Sequence, residues 1–459
     1  MGSDERIKHV VVLMLENRSF DHMLGFLHHE GLKPVTGLSN PADPQQPQGF
    51  RYPTFKLESY TQLGHDPMHA YFDVMQQLTG MESGWNVPVD LNNQGFAWNY
   101  HESTHKEGKE VLGCYDEDRL PVLYTLAREY AVCARWFCSV PGETWPNRLF
   151  AHAGTSDDEL LNDVRYYYNR TIFEALSAAP TPHSWRIYAG DIPQVAAYQN
   201  LGNDGQRHFF GLSDFLDDAH DGVLQDYSFI EPYHFVLRND QHPRGSVPRG
   251  EELIREVYGE IASNQKMWES TLLIITYDEH GGLFDREPPP AATPPRPHAT
   301  HLASGFQFDL LGPRVPAIVV SPYIRQGTVD RNTYDHTSII ATLCEVFGVD
   351  ETLTDRVAHA KSVVDLLTEA APRRPVDLPE VEDIPDEEYG PDQWADGINA
   401  DGTIRLDNLQ EELVKLAQLI DDTNEVPSGA RPLPEPPFFT AVEIEAFIEA
   451  FRIRQLNRM

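Results

Sequence analysis

The chain has 459 residues, 41% hydrophobic, 10% aromatic and 23% charged, a globular composition long enough for one large domain with an appendage. Its 36 basic and 71 acidic residues give a formal net charge of -35. That field repels polyanions, so it excludes nucleic acid as a natural partner and disfavours adhesion to an anionic bilayer.

Four scattered cysteines, Cys114, Cys133, Cys138 and Cys344, form neither a disulfide framework nor a CxxC metal motif. Met1 to Lys8 is short and polar, and no apolar run reaches the length of a membrane span. As written, the chain is expected in a reducing cytoplasm. A secreted origin remains open if Met1-Gly2-Ser3 replaces a removed export signal.

His9 to Leu15 (HVVVLML) is a continuous apolar run, the signature of a strand buried on both faces of an α/β sheet, and it stops at Glu16-Asn17-Arg18-Ser19. Leu272 to Thr276 is a second such run and stops at Tyr277-Asp278-Glu279-His280-Gly281-Gly282; Val315 to Val320 is a third. Between them, Glu251 to Ser263 and Thr337 to Phe347 carry apolar residues at helical spacing. Strand and helix in alternation predict a mostly parallel central sheet covered by helices on both faces.

The character changes near Ala370. Residues 1–370 read as the catalytic domain and 371–400, rich in Pro, Asp and Glu, as an acidic linker or surface-hugging arm. Residues 401–459 read as a helical extension. Leu406, Leu409, Leu413, Leu416 and Ile420 make one apolar stripe; Thr440 and Glu443 form a capping-box pattern ahead of a second, Ile444 to Phe451. Each stripe needs a partner surface, on the main domain or in a homo-oligomer. The extension is expected to be structural rather than catalytic.

In open α/β sheets ligands bind outside the carboxyl ends of the strands. Glu16-Asn17 and Asp278-Glu279 end two strands, and they converge if those strands are neighbours. Four oxygen donors at one edge suit a hard divalent cation, magnesium, calcium or manganese. Taken singly, each acidic pair is more simply a solvated strand end. In Pro141-Gly142-Glu143-Thr144-Trp145-Pro146, Pro146 suits the first turn of a helix, which places Thr144 where free N–H groups favour a phosphate. By spacing alone Thr144 is a plain helix cap. Most of the 19 histidines must be bland.

Taken together these segments resemble the phosphoesterase family that contains the non-specific phospholipases C and a group of bacterial acid phosphatases. The resemblance runs over residues 8–350 through ENRSFDHMLG, HDPMHAYFD, GETWPNRLFAHAGTS, NDQHP, ITYDEHGGLFD, RVPAIVVSPYI and YDHTSIIATL. It implies an alkaline-phosphatase-like fold and a hydroxyl nucleophile at Thr144. It also implies metal ligation by Glu16, Asn17, Asp278, Glu279 and Thr144. His69 and His242 are placed near the phosphoryl group, Asn147 falls in the TWPNR string of the same catalytic set, and His336 is more distant support. One departure stands out: where the family often has Asp-His-Val after DE-x-GG, this chain has Asp285-Arg286-Glu287.

The expected reaction is metal-dependent phosphoester hydrolysis through a phosphothreonine, of the phospholipase C type. Phosphomonoester hydrolysis is the alternative, and a non-catalytic phosphate- or lipid-binding module is the alternative of another class. Trp85, Phe96, Trp98 and Tyr100 are candidates for an apolar approach to the site.

Overall fold

A computed structural model describes residues 5–46, 48–60, 63, 65–82, 90–202, 208–235, 238–243, 245–350, 352–382, 406–423, 433 and 441–456. Its centre is an eight-stranded sheet. The spatial order is Thr328–Asp330, Ala131–Cys133, Ala317–Val320, Thr271–Tyr277, His9–Leu15, Tyr227–Glu231, Trp185–Ala189 and Phe209–Gly211. Only Ala317–Val320 runs against the others. Mostly parallel strands need crossovers, and helices such as Leu212–Asp221 and Val247–Ser263 provide them.

The two expected strands are adjacent and parallel, paired in register from His9 with Thr271 to Leu15 with Tyr277. Every residue from Val10 to Leu15 and from Thr271 to Tyr277 is buried, the consequence of helices on both faces. In-register pairing carries Glu16 and Asp278 out of the sheet side by side. The third expected strand begins at Ala317, not Val315, because Pro316 lacks the N–H a central strand needs.

The tail meets its partner surface within this chain. Helix Asn408–Thr423 buries Leu409, Leu413, Leu416 and Ile420, and helix Ala441–Leu456 buries Ile444, Phe447, Ile448 and Phe451. All eight join the main hydrophobic core. Residues 371–382 follow the body as an arm: Trp268 Nε1 donates to Arg373 O at 2.7 Å, and Val376 N donates to the Tyr258 hydroxyl at 2.8 Å. Met1-Gly2-Ser3, Trp85, residues 383–400 and Thr440 lie outside the described residues. Among the described residues, no helix is long and apolar enough to cross a membrane.

Candidate active site

The carboxyl edge of the two central strands gathers the predicted donors. Asn17 adopts a positive φ of 53°, tolerable for an asparagine, and its backbone N–H donates to Asp278 Oδ1 at 2.9 Å. Gly281 and Gly282, at φ 63° and 68°, turn the chain back beside it. A Cβ on Gly281 would lie 2.2 Å from Asn17 O, and one on Gly282 2.7 Å from Met68 O, so the GG of DEHGG is a packing requirement.

Thr144 is the first residue of helix Thr144–Ala153, with Glu143 as its cap. Its hydroxyl lies 3.2 Å from Glu16 Oε2 and 3.3 Å from Asn17 Oδ1, so two acceptors compete for its one proton. Asn147 has another task. Its side chain accepts from Val140 N at 3.1 Å and donates towards the carbonyls of Val140, Gly142 and Glu143. Asn147 therefore staples the loop that delivers Thr144, and its amide does not face the hydroxyl. Glu143 completes the clamp by accepting from Asn162 N, while Asn162 Oδ1 accepts from Trp145 N at 2.8 Å.

Arg148, the last residue of the TWPNR string, lies four residues after Thr144 on the same helix face. Fully buried, it bonds Glu16 through Nη2 and lies 3.7 Å from Asp278 Oδ2 through Nε. Burial pushes the Glu16 carboxyl well above its ordinary range despite Arg148, and the neighbouring Asp278 charge adds to the rise. For Asp278 burial acts in the same sense, but Arg148, Glu16 and the N–H groups of Asn17 and Glu279 outweigh it and hold the group low. One carboxylate of the pair is thus the better anion.

Glu16, Asn17, Thr144, Asp278 and Glu279 form an all-oxygen donor set that fits a hard cation. Asp278 Oδ2 and Glu279 Oε1 are buried without a hydrogen-bond partner, a costly arrangement that a cation would relieve. As arranged, no three His, Cys, Asp or Glu among the described residues make a ready metal cage; two of the five donors are an amide and a hydroxyl.

The histidines divide. His69 Nε2 lies 3.9 Å from Glu279 Oε1 and 3.5 Å from Asn17 Nδ2, and Nδ1 is set by Pro67 O at 2.8 Å. Burial opposes its charge, but Glu279, Asp66 and Glu143 prevail and push it up to about 9. His242 stands edge-on to it, ring centroids 6.3 Å apart. Its Nε2 is 3.8 Å from Asp66 Oδ2 and its Nδ1 2.9 Å from Pro243 O. Again burial is outweighed, by Asp66, Asp407 and Asp240, and the His242 pKa rises. His336 is engaged elsewhere: Nε2 donates to Asp278 O at 2.5 Å and Nδ1 accepts from Trp136 Nε1 at 3.3 Å. With both nitrogens committed and its pKa lowered by burial, it supports Asp278 from behind.

Arg286, which stands where the family often has a histidine, is a clasp. Its guanidinium bonds Asp21 at 2.8 Å and the carbonyls of Lys33 and Pro34, beside the buried pair Arg314 and Asp285. Phe96 and Tyr100 are core residues of a small cluster with Phe284 and offer no apolar approach. The exposed apolar residues near the site are others: Met68 and Phe72 flank His69, and Leu161 precedes Asn162. Leu302 is exposed as well, four residues before Phe306, which shares a satellite core with Tyr71 and Leu160. Sequence reasoning missed Asp66, although it lies three residues before His69 in GHDPMH. It also missed Asp407, for which no local signal exists.

The chain matches the Phosphoesterase family over residues 7–350. It is 33% identical to "Non-specific phospholipase C3" of Arabidopsis thaliana, over 91% of this chain and 83% of that protein. It is 30% identical to "Phospholipase C B" of Mycobacterium tuberculosis, over 75% and 74%. A solved protein in the alkaline phosphatase superfamily from Vibrio parahaemolyticus aligns at a TM-score of 0.32 and 11% identity, covering 54% of this chain and 65% of that one.

Proposed function

Since this chain belongs to the Phosphoesterase family, we propose that it is a phospholipase C-like phosphoester hydrolase working through Thr144. The observation that carries the reading is the Thr144 hydroxyl held against Glu16 and Asn17 at the sheet's carboxyl edge, with His69 beside Asn17 and His242 beside His69. A divalent cation held by Glu16, Asn17, Thr144, Asp278 and Glu279 would supply charge neutralisation and acidify the hydroxyl.

The chain's own residues do the rest. Thr144 opens helix Thr144–Ala153, so the positive end of the helix dipole lies beside its hydroxyl and favours a phosphoryl oxygen. Asp66 and Glu143 beside His69 favour its charged form, in which Nε2 donates to a second phosphoryl oxygen. Thr144 Oγ1 passes its proton to Glu16 Oε2, 3.2 Å away, and attacks phosphorus in line as the P–O bond opposite breaks. His242, oriented by Asp66 and Pro243 O, gives its proton to the departing alkoxide oxygen. Water then attacks the phosphothreonine; neutral His242 takes its proton, Glu16 returns the first proton to Thr144 Oγ1, and the phosphorylated head group leaves. For a phospholipid the first product is diacylglycerol. Met68, Phe72, Leu161 and Leu302, each at least 40% exposed, supply an apolar rim for acyl chains.

The experiment is hydrolysis of an aryl phosphocholine diester beside an aryl phosphomonoester, each with and without chelator. Preference for the diester, lost on chelation, is expected. Preference for the monoester would move the reading to a phosphatase. No turnover of either would favour the binding module.

A further inference from the structure

We infer that Asp407, at the start of the C-terminal extension, is a positioning residue for His242, acting through Arg238. The inference rests on the reading of His242 as the acid for the leaving group.

The turn that carries His242 is strained. Arg238 and Gln241 have φ of 44° and 65°, the left-handed region that non-glycine residues enter only under external restraint. One end of the turn is tied to the sheet: Asp240 O accepts from Glu16 N at 2.8 Å, and Gln241 O accepts from Arg18 Nε at 2.6 Å. Gln241 is tied further by Val247 O at 2.8 Å and by the Tyr277 hydroxyl.

At the other end the restraint comes from the tail. Arg238 Nη2 donates to Asp407 Oδ2 at 2.9 Å, both side chains almost fully buried. Asp407 is itself fixed by a reciprocal cap. Its Oδ1 accepts from Gln410 N at 2.9 Å, and Gln410 Oε1 accepts from Asp407 N at 3.1 Å. Gln410 Nε2 then donates to His234 O at 2.7 Å, and His234 Nδ1 reaches Asp240 Oδ2 at 3.2 Å. Two links therefore join one turn of the tail to the segment that leads into His242, one at Arg238 and one through His234 to Asp240. A buried charged hydrogen bond is directional and water-excluded, the kind that fixes a loop rather than decorating it. The extension is thus part of the apparatus that aims an imidazole, beyond the purely structural role expected from its sequence.

The test uses the full chain and compares two diesters. One leaves as an aryl alcohol that needs little protonation, the other, a short-chain phosphatidylcholine below its micelle concentration, as an alkyl alcohol that needs a proton. His242→Ala sets the scale: kcat on the alkyl substrate should fall far more than on the aryl one. Asp407→Asn should show the same discrimination in milder form, at least tenfold loss of kcat on the alkyl substrate and under threefold on the aryl one. KM should stay within twofold and the thermal midpoint close to the parent's, with Asp407→Glu restoring part of the loss. Should Asp407→Asn fail to fold, Arg238→Lys, which keeps the charge and alters the reach, should give the same pattern. Equal losses on both substrates, or none, in a folded variant would overturn the positioning role. Absence of discrimination in His242→Ala would overturn the reading of His242, and the inference with it.

Discussion

Asn17 donates its backbone N–H to Asp278 Oδ1 over 2.9 Å, joining residues 261 positions apart in the chain. The bond exists because strands His9–Leu15 and Thr271–Tyr277 are parallel neighbours in register to their last residues. It brings together a positive-φ asparagine, two carboxylates and a threonine hydroxyl, and the predictions below begin there.

Replacing Thr144 by Ala should cut turnover at least ~10³-fold while moving the unfolding free energy by less than ~1 kcal/mol, because among the described residues the hydroxyl hydrogen-bonds only to Glu16 and Asn17. Steady-state rates and a urea titration of the same preparation check this. A variant that keeps a tenth of its activity would remove Thr144 from the nucleophile's role.

Removing one oxygen donor should weaken the cation without unfolding the site. Asp278→Asn is expected to raise the cation concentration for half-maximal activity at least ~10-fold, since a full negative charge is lost from the donor set. The measurement is a titration of chelated enzyme with magnesium, calcium or manganese, joined to elemental analysis of the purified protein. Zinc held by histidines, or full activity without metal, would refute the oxygen-donor site.

His152 should make the protein sensitive to acid. It is fully buried among Phe173, Phe229 and Tyr198, and neither ring nitrogen has a hydrogen-bond partner. Burial, helped by Arg148 and His336, brings its pKa from 6.5 down to about 3. A depressed folded-state value means the stability contribution is present above 6.5 and is lost as pH falls from there towards 3. The slope is ~1.4 kcal/mol per pH unit, or ~2–3 kcal/mol by pH 4.5. His152→Phe should therefore lose less stability than the parent between pH 7 and pH 4.5, measured by urea midpoints. Parallel losses in the two proteins would contradict the assignment.

Charging the apolar rim should separate interfacial from soluble substrates. Phe72 and Leu302 are 51% and 96% exposed, so Phe72→Asp with Leu302→Asp should leave the fold intact. On vesicles of zwitterionic phosphatidylcholine the rate should fall at least ~10-fold, by the loss of apolar burial at the surface. On an aryl phosphocholine in solution it should stay within ~twofold. A loss common to both substrates would place these side chains in the site and not at its lipid-facing edge.

Much of this was legible in the sequence. The unbroken apolar runs at His9 to Leu15 and Leu272 to Thr276 state a doubly covered sheet, because only strands buried on both faces lack polar alternation. The acidic pairs that end them mark the candidate site at the sheet's carboxyl edge, and Pro146 marks the helix that begins at Thr144. Periodicity alone was enough to find the apolar stripes of the tail.

What the tertiary structure decided were the pairings across long stretches of chain, on which local patterns are silent. Strand adjacency turned two separate acidic pairs into one site. Helix geometry put Arg148 under Glu16 and Asp278, and packing turned Asn147 and His336 away from the reacting centre to hold Thr144 and Asp278. Arg286 became a clasp because Asp21, 265 positions away, lies within 2.8 Å of its guanidinium. Asp407 met Arg238 across 169 positions, since a helix that must bury an apolar stripe carries its first polar residue wherever that stripe docks.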